Sequence, residues 1–126
     1  MEMNRHALNW AEIPVADFER ARRFYSTIFD FQMPQMTVGG NTLGFLLHEQ
    51  GQGVGAAIVQ GEGHVPSAQG SLVYLSAGRD LAVVLGRVVR AGGVVLRGKS
   101  EIGPKLGHYA LFQDTEGNRV GLHSPE

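Results

Sequence analysis

The chain has 126 residues, enough for one domain of average size to bury a core without disulfide or metal staples, and at 43% hydrophobic and 18% charged it has the make-up of a folded protein. Eleven basic and twelve acidic residues give a net charge of −1 with no basic stripe, which argues against nucleic acid and membrane surfaces as partners. Cysteine is absent, so disulfides, thiolate metal sites and cysteine nucleophiles are excluded and a reducing compartment is permitted.

Residues Met1 to His6 carry no apolar run of the signal-peptide kind, and no stretch reaches membrane-spanning length, so a cytoplasmic protein is expected. From Leu8 to Val15, Ala11, Ile13 and Val15 alternate with Trp10, Glu12 and Pro14, the period of a two-faced strand. Asp17 then precedes Phe18, Ala21, Phe24, Tyr25 and Ile28, an N-cap followed by the apolar stripe of a helix. Beyond Pro34 the chain turns Gly-rich and strand-like, with apolar runs Leu43 to Leu47 and Val54 to Val59 separated by a hairpin turn over Glu49 to Gly53.

Gly61 to Gly70 reads as a connection, after which the pattern restarts. Leu72 to Leu75 predicts a strand, Asp80 a second N-cap, and Leu81, Val84, Leu85 and Val88 a second helix stopped by left-handed Gly92 and Gly93. Strands are predicted at Val94 to Leu96, Tyr109 to Phe112 and Arg119 to Leu122, the last two joined by a tight turn over Asp114 to Asn118. The two N-caps lie half a chain length apart, as a duplication would place them. One α+β domain over 1–126 is expected, with modules at about 8–62 and 70–124. A ferredoxin-like fold is the alternative, and the extra strands in each half argue against it.

The stretch Asn9-Trp10-Ala11-Glu12-Ile13-Pro14-Val15-Ala16-Asp17, with Arg20-Ala21 and Phe24-Tyr25, resembles the opening of the vicinal oxygen chelate superfamily, which includes glyoxalase I, bleomycin-resistance proteins and extradiol dioxygenases. His108 to Val120 resembles its closing hairpin, so the likeness spans nearly the whole chain. The resemblance implies two βαβββ modules forming curled mixed sheets around a cleft, a homodimer, a small-molecule ligand and, in many members, a divalent metal. Its metal ligands sit in the first and last strand of each module, and here those positions fall on Trp10, on Leu72 or Val73, on Ala57 or Ile58, and on Gly121. None of these side chains can coordinate such a cation, so no metal or other cofactor is expected at the standard site.

Strand period assigns the remaining candidates. If Ala11, Ile13 and Val15 pack on a helix, Trp10 and Glu12 point into the cleft, and in the last strand Arg119, Gly121 and His123 do the same. Glu12 and His123 are then expected to share a pocket as a candidate catalytic pair, with an ordinary ion pair or a surface histidine as the alternative. Trp10 and Tyr74 are candidate aromatic walls, Arg119 lies on the same face, and His108 and Tyr109 follow a predicted loop over the cleft mouth at Gly103 to Gly107. His6, His48 and His64 are expected in solvent.

Gly93 to Ser100 matches the phosphate-loop pattern G-x-x-x-x-G-K-[ST], but a helix precedes it, none follows, and Val94 to Leu96 favours a strand, so nucleotide binding is rejected. The glycines at 51, 53 and 55 have the wrong spacing for a dinucleotide fingerprint. Two classes of function stay open: a metal-free protein that binds a small ligand, and an enzyme acting on a small carbonyl or aromatic compound through Glu12 and His123, or through a displaced metal site of Glu12, His108 and His123. A third reading is an interaction module whose cleft is filled by side chains.

Overall fold

A computed structural model describes residues 1, 3, 5–46 and 52–126. Strand β1 (Trp10–Pro14) is shorter than the alternating stretch because pairing begins at Trp10, opposite Gly55. Helix α1 (Phe18–Phe29) starts where Asp17 accepts the Arg20 amide at 3.1 Å and ends at left-handed Asp30 (φ 53°), a conformation that Asp tolerates better than most residues. Its buried stripe is Phe18, Ala21, Phe24, Tyr25 and Ile28, as the spacing predicts.

Strands β2 (Gln35–Val38) and β3 (Asn41–Phe45) form a hairpin through Gly39 and Gly40, both at positive φ (57° and 85°), the pair of angles a two-residue turn of this hand requires. β4 (Gly55–Gln60) pairs antiparallel with β3 and parallel with β1. Leu46 lies past the end of β3, while Leu47, His48 and most of the predicted turn fall outside the described residues.

The second module repeats this order with shifted boundaries. β5 (Tyr74–Ser76) begins two residues later than predicted, and α2 (Leu81–Leu85), capped by Asp80, stops at Gly86 instead of running to Val88. Val83, Val84, Val88 and Val89 are β-branched and lower the helix preference of this segment, yet Val88 is still fully buried in the turns that follow. Of the two glycines expected to stop it, only Gly92 is left-handed (φ 105°). Gly93 serves packing: a Cβ there would lie 2.8 Å from Phe24 and 2.7 Å from the Gln113 carbonyl oxygen.

β6 (Val94–Gly103) runs ten residues, well past Leu96, and absorbs the whole phosphate-loop look-alike except Gly93 into a strand. β7 (Gly107–Gln113) and β8 (Arg119–Ser124) complete the module. The expected loop over the cleft mouth is a tight β6–β7 turn instead, with Lys105 and Gly107 at positive φ.

Each module forms one mixed four-stranded sheet, ordered β1-β4-β3-β2 and β5-β8-β7-β6, with its first strand parallel to its last. The orders correspond strand for strand, so the Glu12–Ala57 partners of one sheet match the Tyr74–Gly121 partners of the other. Neither sheet closes on itself. A single core joins both helices to the inner faces of both sheets, with Phe24 and Tyr25 of α1 packed on Phe112 of β7 at 5.7 and 6.4 Å between ring centroids. Burying side chains of this size contributes roughly 1.5–3 kcal/mol each.

Candidate functional site

Alternation along each strand sends one set of residues into this core and leaves the other on an open face. On β1, Ile13 is buried, whereas Trp10 and Glu12 are exposed. On β4, Ala56 and Ile58 belong to the core, so Ala57 takes the opposite face, across from Phe45, whose ring meets Trp10 edge-on at 6.1 Å. On β8, Val120 and Leu122 are buried in the core, and Arg119, Gly121 and His123 occupy the other face.

Pairing extends that face across the second sheet. Tyr109 lies opposite His123, Leu111 opposite Gly121 and Gln113 opposite Arg119, while Tyr74 is the β5 partner of Gly121. The Tyr74 and Tyr109 rings meet edge-on at 6.4 Å, and the Arg97 guanidinium lies 5.4 Å from the Tyr109 ring centroid. Tyr74 is 48% exposed and Trp10 36%, so neither is enclosed in the core.

His108 does not join them. It neighbours Tyr109 on β7, so its side chain takes the opposite face, across from fully buried Ser124. The first influence on the Asp80 carboxyl, held below its ordinary range, is the 2.8 Å hydrogen bond from Lys99, followed by the Ala82 amide.

Glu12 and His123 have other partners. His123 Nε2 donates to the Leu106 carbonyl at 2.9 Å, fastening the β6–β7 turn to the end of β8. Glu12 Oε1 lies 3.1 Å from Nε2 of His64, a half-buried residue expected in solvent, whose Nδ1 is buried without a hydrogen-bond partner among the described residues. Glu12 instead shares with Arg119, Ser67, Ser71 and Asn118 a cavity of about 40 Å³ at the module junction, far below the ~300–1,000 Å³ of organic-ligand pockets. A larger cavity of about 240 Å³ lies between the sheets, lined by Leu8, Phe29, Leu46, Val54, Val73 and Tyr74. Of these, Tyr74 is a candidate aromatic wall from the sequence and Val73 one of the two residues at a first-strand metal position of the resemblance.

The four metal positions of the resemblance carry no coordinating side chain. Ile58 belongs to the core, Ala57 is fully buried on the opposite face of β4, and neither they nor Trp10, Leu72, Val73 and Gly121 offer a donor. A Cβ at Gly121 would collide with the Tyr74 ring, so the space a ligating side chain needs is taken. Among the described residues no group of three or more His, Asp or Glu could hold a metal ion. The residues present do not fit a divalent cation at these positions.

This duplicated fold and its open sheet faces define a class of protein. Residues 7–122 match the Glyoxalase/Bleomycin resistance protein/Dioxygenase superfamily, and the chain belongs to it. A glyoxylase-like domain-containing protein of Didymella fabae is 30% identical over 116 residues, covering 85% of this chain and 84% of the relative. In fold, the chain is similar to TnmS3, an antibiotic binding protein from Streptomyces sp. CB03234 (22% identity, TM-score 0.67, covering 99% of this chain and 100% of that one). It is likewise similar to a glyoxylase/bleomycin resistance protein/dioxygenase domain from Frankia sp. EAN1pec (15% identity, TM-score 0.71, covering 98% and 94%).

Proposed function

We propose that this protein binds a small molecule on its open sheet faces and does so without a divalent metal at the superfamily's usual positions. The observation that carries the reading is the replacement at Gly121: where a carboxylate would be needed, a bare backbone lies under the Tyr74 ring, and a second tyrosine flanks it. Stacking surfaces replace coordinating groups there, which suits retention of a planar or apolar ligand. The name of TnmS3, an antibiotic binding protein of this fold, is in keeping with such a role.

The enzyme reading has less support. Glu12 and His123 are each engaged elsewhere, and His108 lies on the opposite face, so a displaced site of Glu12, His108 and His123 would need those residues to rearrange. A homodimer is part of the proposal: Met36, Val38, Leu96, Ile102 and Leu106 are exposed apolar residues that a second copy would cover. No helix among the described residues is long and apolar enough to cross a membrane, and the lack of cysteine agrees with a cytoplasmic setting.

Elemental analysis of protein purified without chelator or affinity tag tests the central claim. Metal well below one per chain is expected, and one divalent ion per chain would overturn it. Mass spectrometry of the same material under native conditions is expected to reveal a bound small molecule.

A further inference from the structure

The open face of the second sheet has a charge as well as a shape. The register puts Arg97, Ser100, Tyr109, Leu111, Gln113, Arg119, Gly121, His123, Tyr74 and Ser76 on it, and no carboxylate is among them. Two are permanent cations. Arg97 rests over the Tyr109 ring and reaches Ser100 at 3.3 Å, without a carboxylate partner. Arg119 is exposed, and its side chain has no hydrogen bond or ion pair with any described residue.

Arg119 differs in this from Arg20, Arg22 and Arg79, each matched to a glutamate at 2.9 Å or less, and from Arg87, which donates to the Ile28 carbonyl. Arg5, Arg23 and Arg90 also have no such partner among the described residues, but none of them lies on a strand of this sheet. The carboxylate that lines the cavity with Arg119 is Glu12, whose Oε1 lies 3.1 Å from His64 Nε2 and which forms no ion pair with Arg119. A guanidinium left open on the sheet face that carries Tyr74 and Tyr109 offers a fork of donors matched to a carboxylate, and the face supplies π surfaces for the group that bears it.

We propose that the ligand is an aromatic anion: a planar ring system that packs on Tyr74 and Tyr109 and carries a carboxylate directed at Arg119. Arg119 lies two residues from Gly121 on β8, about 7 Å along the strand, a separation that the long Arg119 side chain can close toward a carboxylate at the edge of a ring packed on Tyr74. This inference rests on the small-molecule reading above and names the ligand class for that site.

Titration calorimetry with 2-naphthoate, 2-naphthamide and 2-naphthylmethylammonium tests it, since the three share a ring system and differ in charge. 2-Naphthoate is expected to bind about tenfold or more tightly than the amide, and the ammonium most weakly. Arg119→Gln should cost 2-naphthoate about that factor and leave the amide unchanged, with the melting temperature of the protein unaltered because the Arg119 side chain bonds to no described residue. Tyr109→Leu should weaken all three.

Equal affinity for the three probes, or retention of the preference in Arg119→Gln, would overturn the inference while leaving the small-molecule reading in place. Absence of binding by all three at millimolar concentration would also overturn it. One bound metal per chain would remove the metal-free reading and leave the charge preference standing, so the two failures are distinct.

Discussion

Glu116, in the turn between β7 and β8, caps the start of α1 through Arg20: its carboxylate lies 2.7 Å from Arg20 Nε and also accepts the Ala16 and Asp17 amides at 3.0 and 2.8 Å. The Glu116 side chain has no solvent exposure, whereas Arg20 is 47% exposed. A carboxylate of the second module thus satisfies backbone donors at the positive end of the first module's helix, which joins the two halves at a point where sequence places them almost a hundred residues apart. Glu116→Ala should lower stability by about 1–3 kcal/mol, read as a fall in the midpoint of chemical denaturation.

The same carboxylate makes stability depend on pH. Burial works to raise its pKa, but hydrogen bonds from Arg20, the Asp17 amide and Thr115 outweigh it, and the group titrates below its ordinary value of 4.5. The unfolded chain therefore takes up the proton more readily than the folded one, so the contribution is complete above pH 4.5 and is lost as pH falls through the lower folded value. Asp80, also depressed, acts in the same direction. Melting temperature should drop as pH falls below about 4.5, and Glu116→Gln should flatten that slope; an unchanged slope in the variant would refute the assignment.

A second tie between the modules is buried. The Tyr25 hydroxyl donates to Asp114 at 2.7 Å, and Asn118 donates both to Asp114 and to the Pro14 carbonyl. Burial, then the Asp114 charge, pushes the Tyr25 hydroxyl well above its ordinary range, so it stays protonated as a donor. Tyr25→Phe should cost about 1–3 kcal/mol by leaving a buried carboxylate oxygen short of a partner, measured by equilibrium unfolding.

Gly121→Ala probes the site itself. The added methyl meets the Tyr74 ring, so the variant should either lose about 1–3 kcal/mol or turn Tyr74 outward, visible in near-ultraviolet circular dichroism. Pairing it with Tyr74→Ala should recover much of the loss. Additive effects in the double mutant would mean that the two residues do not touch in solution.

Gly93→Ala distinguishes packing from phosphate binding in the look-alike motif. The extra carbon would press on Phe24, Val88 and the Gln113 carbonyl, so the variant should be less stable by about 1–3 kcal/mol. Millimolar Mg-ATP should leave the melting temperature of the unmutated protein unchanged, because the segment is a strand with no helix terminus behind it.

Much of the architecture was legible because it rests on local rules. Asp17 and Asp80 are N-caps by side-chain chemistry alone, and the helical stripe after Asp17 and the alternation of β1 and β8 follow from the pitch of helix and strand. Alternation also assigned Trp10, Glu12, Arg119 and His123 to the face away from the core. It stops short of saying which residues meet across that face. His64 pairs with Glu12 from a segment with no periodicity, and the Gly103 to Gly107 stretch closes as a tight turn because β6 continues far beyond its apolar start.

The duplicated strand-helix-strand order and the N-caps were legible in the sequence because they depend on residue type and near neighbours, and the lack of coordinating side chains at the four positions could be read once the family resemblance had marked those positions. The tertiary fold was needed to see that Glu12 joins His64 and not His123, that His108 turns from Tyr109, that Tyr74 covers Gly121, and that the Arg119 side chain has no partner among the described residues. Those relationships are set by sheet register and by how the two modules pack, and both depend on contacts between residues far apart in the chain.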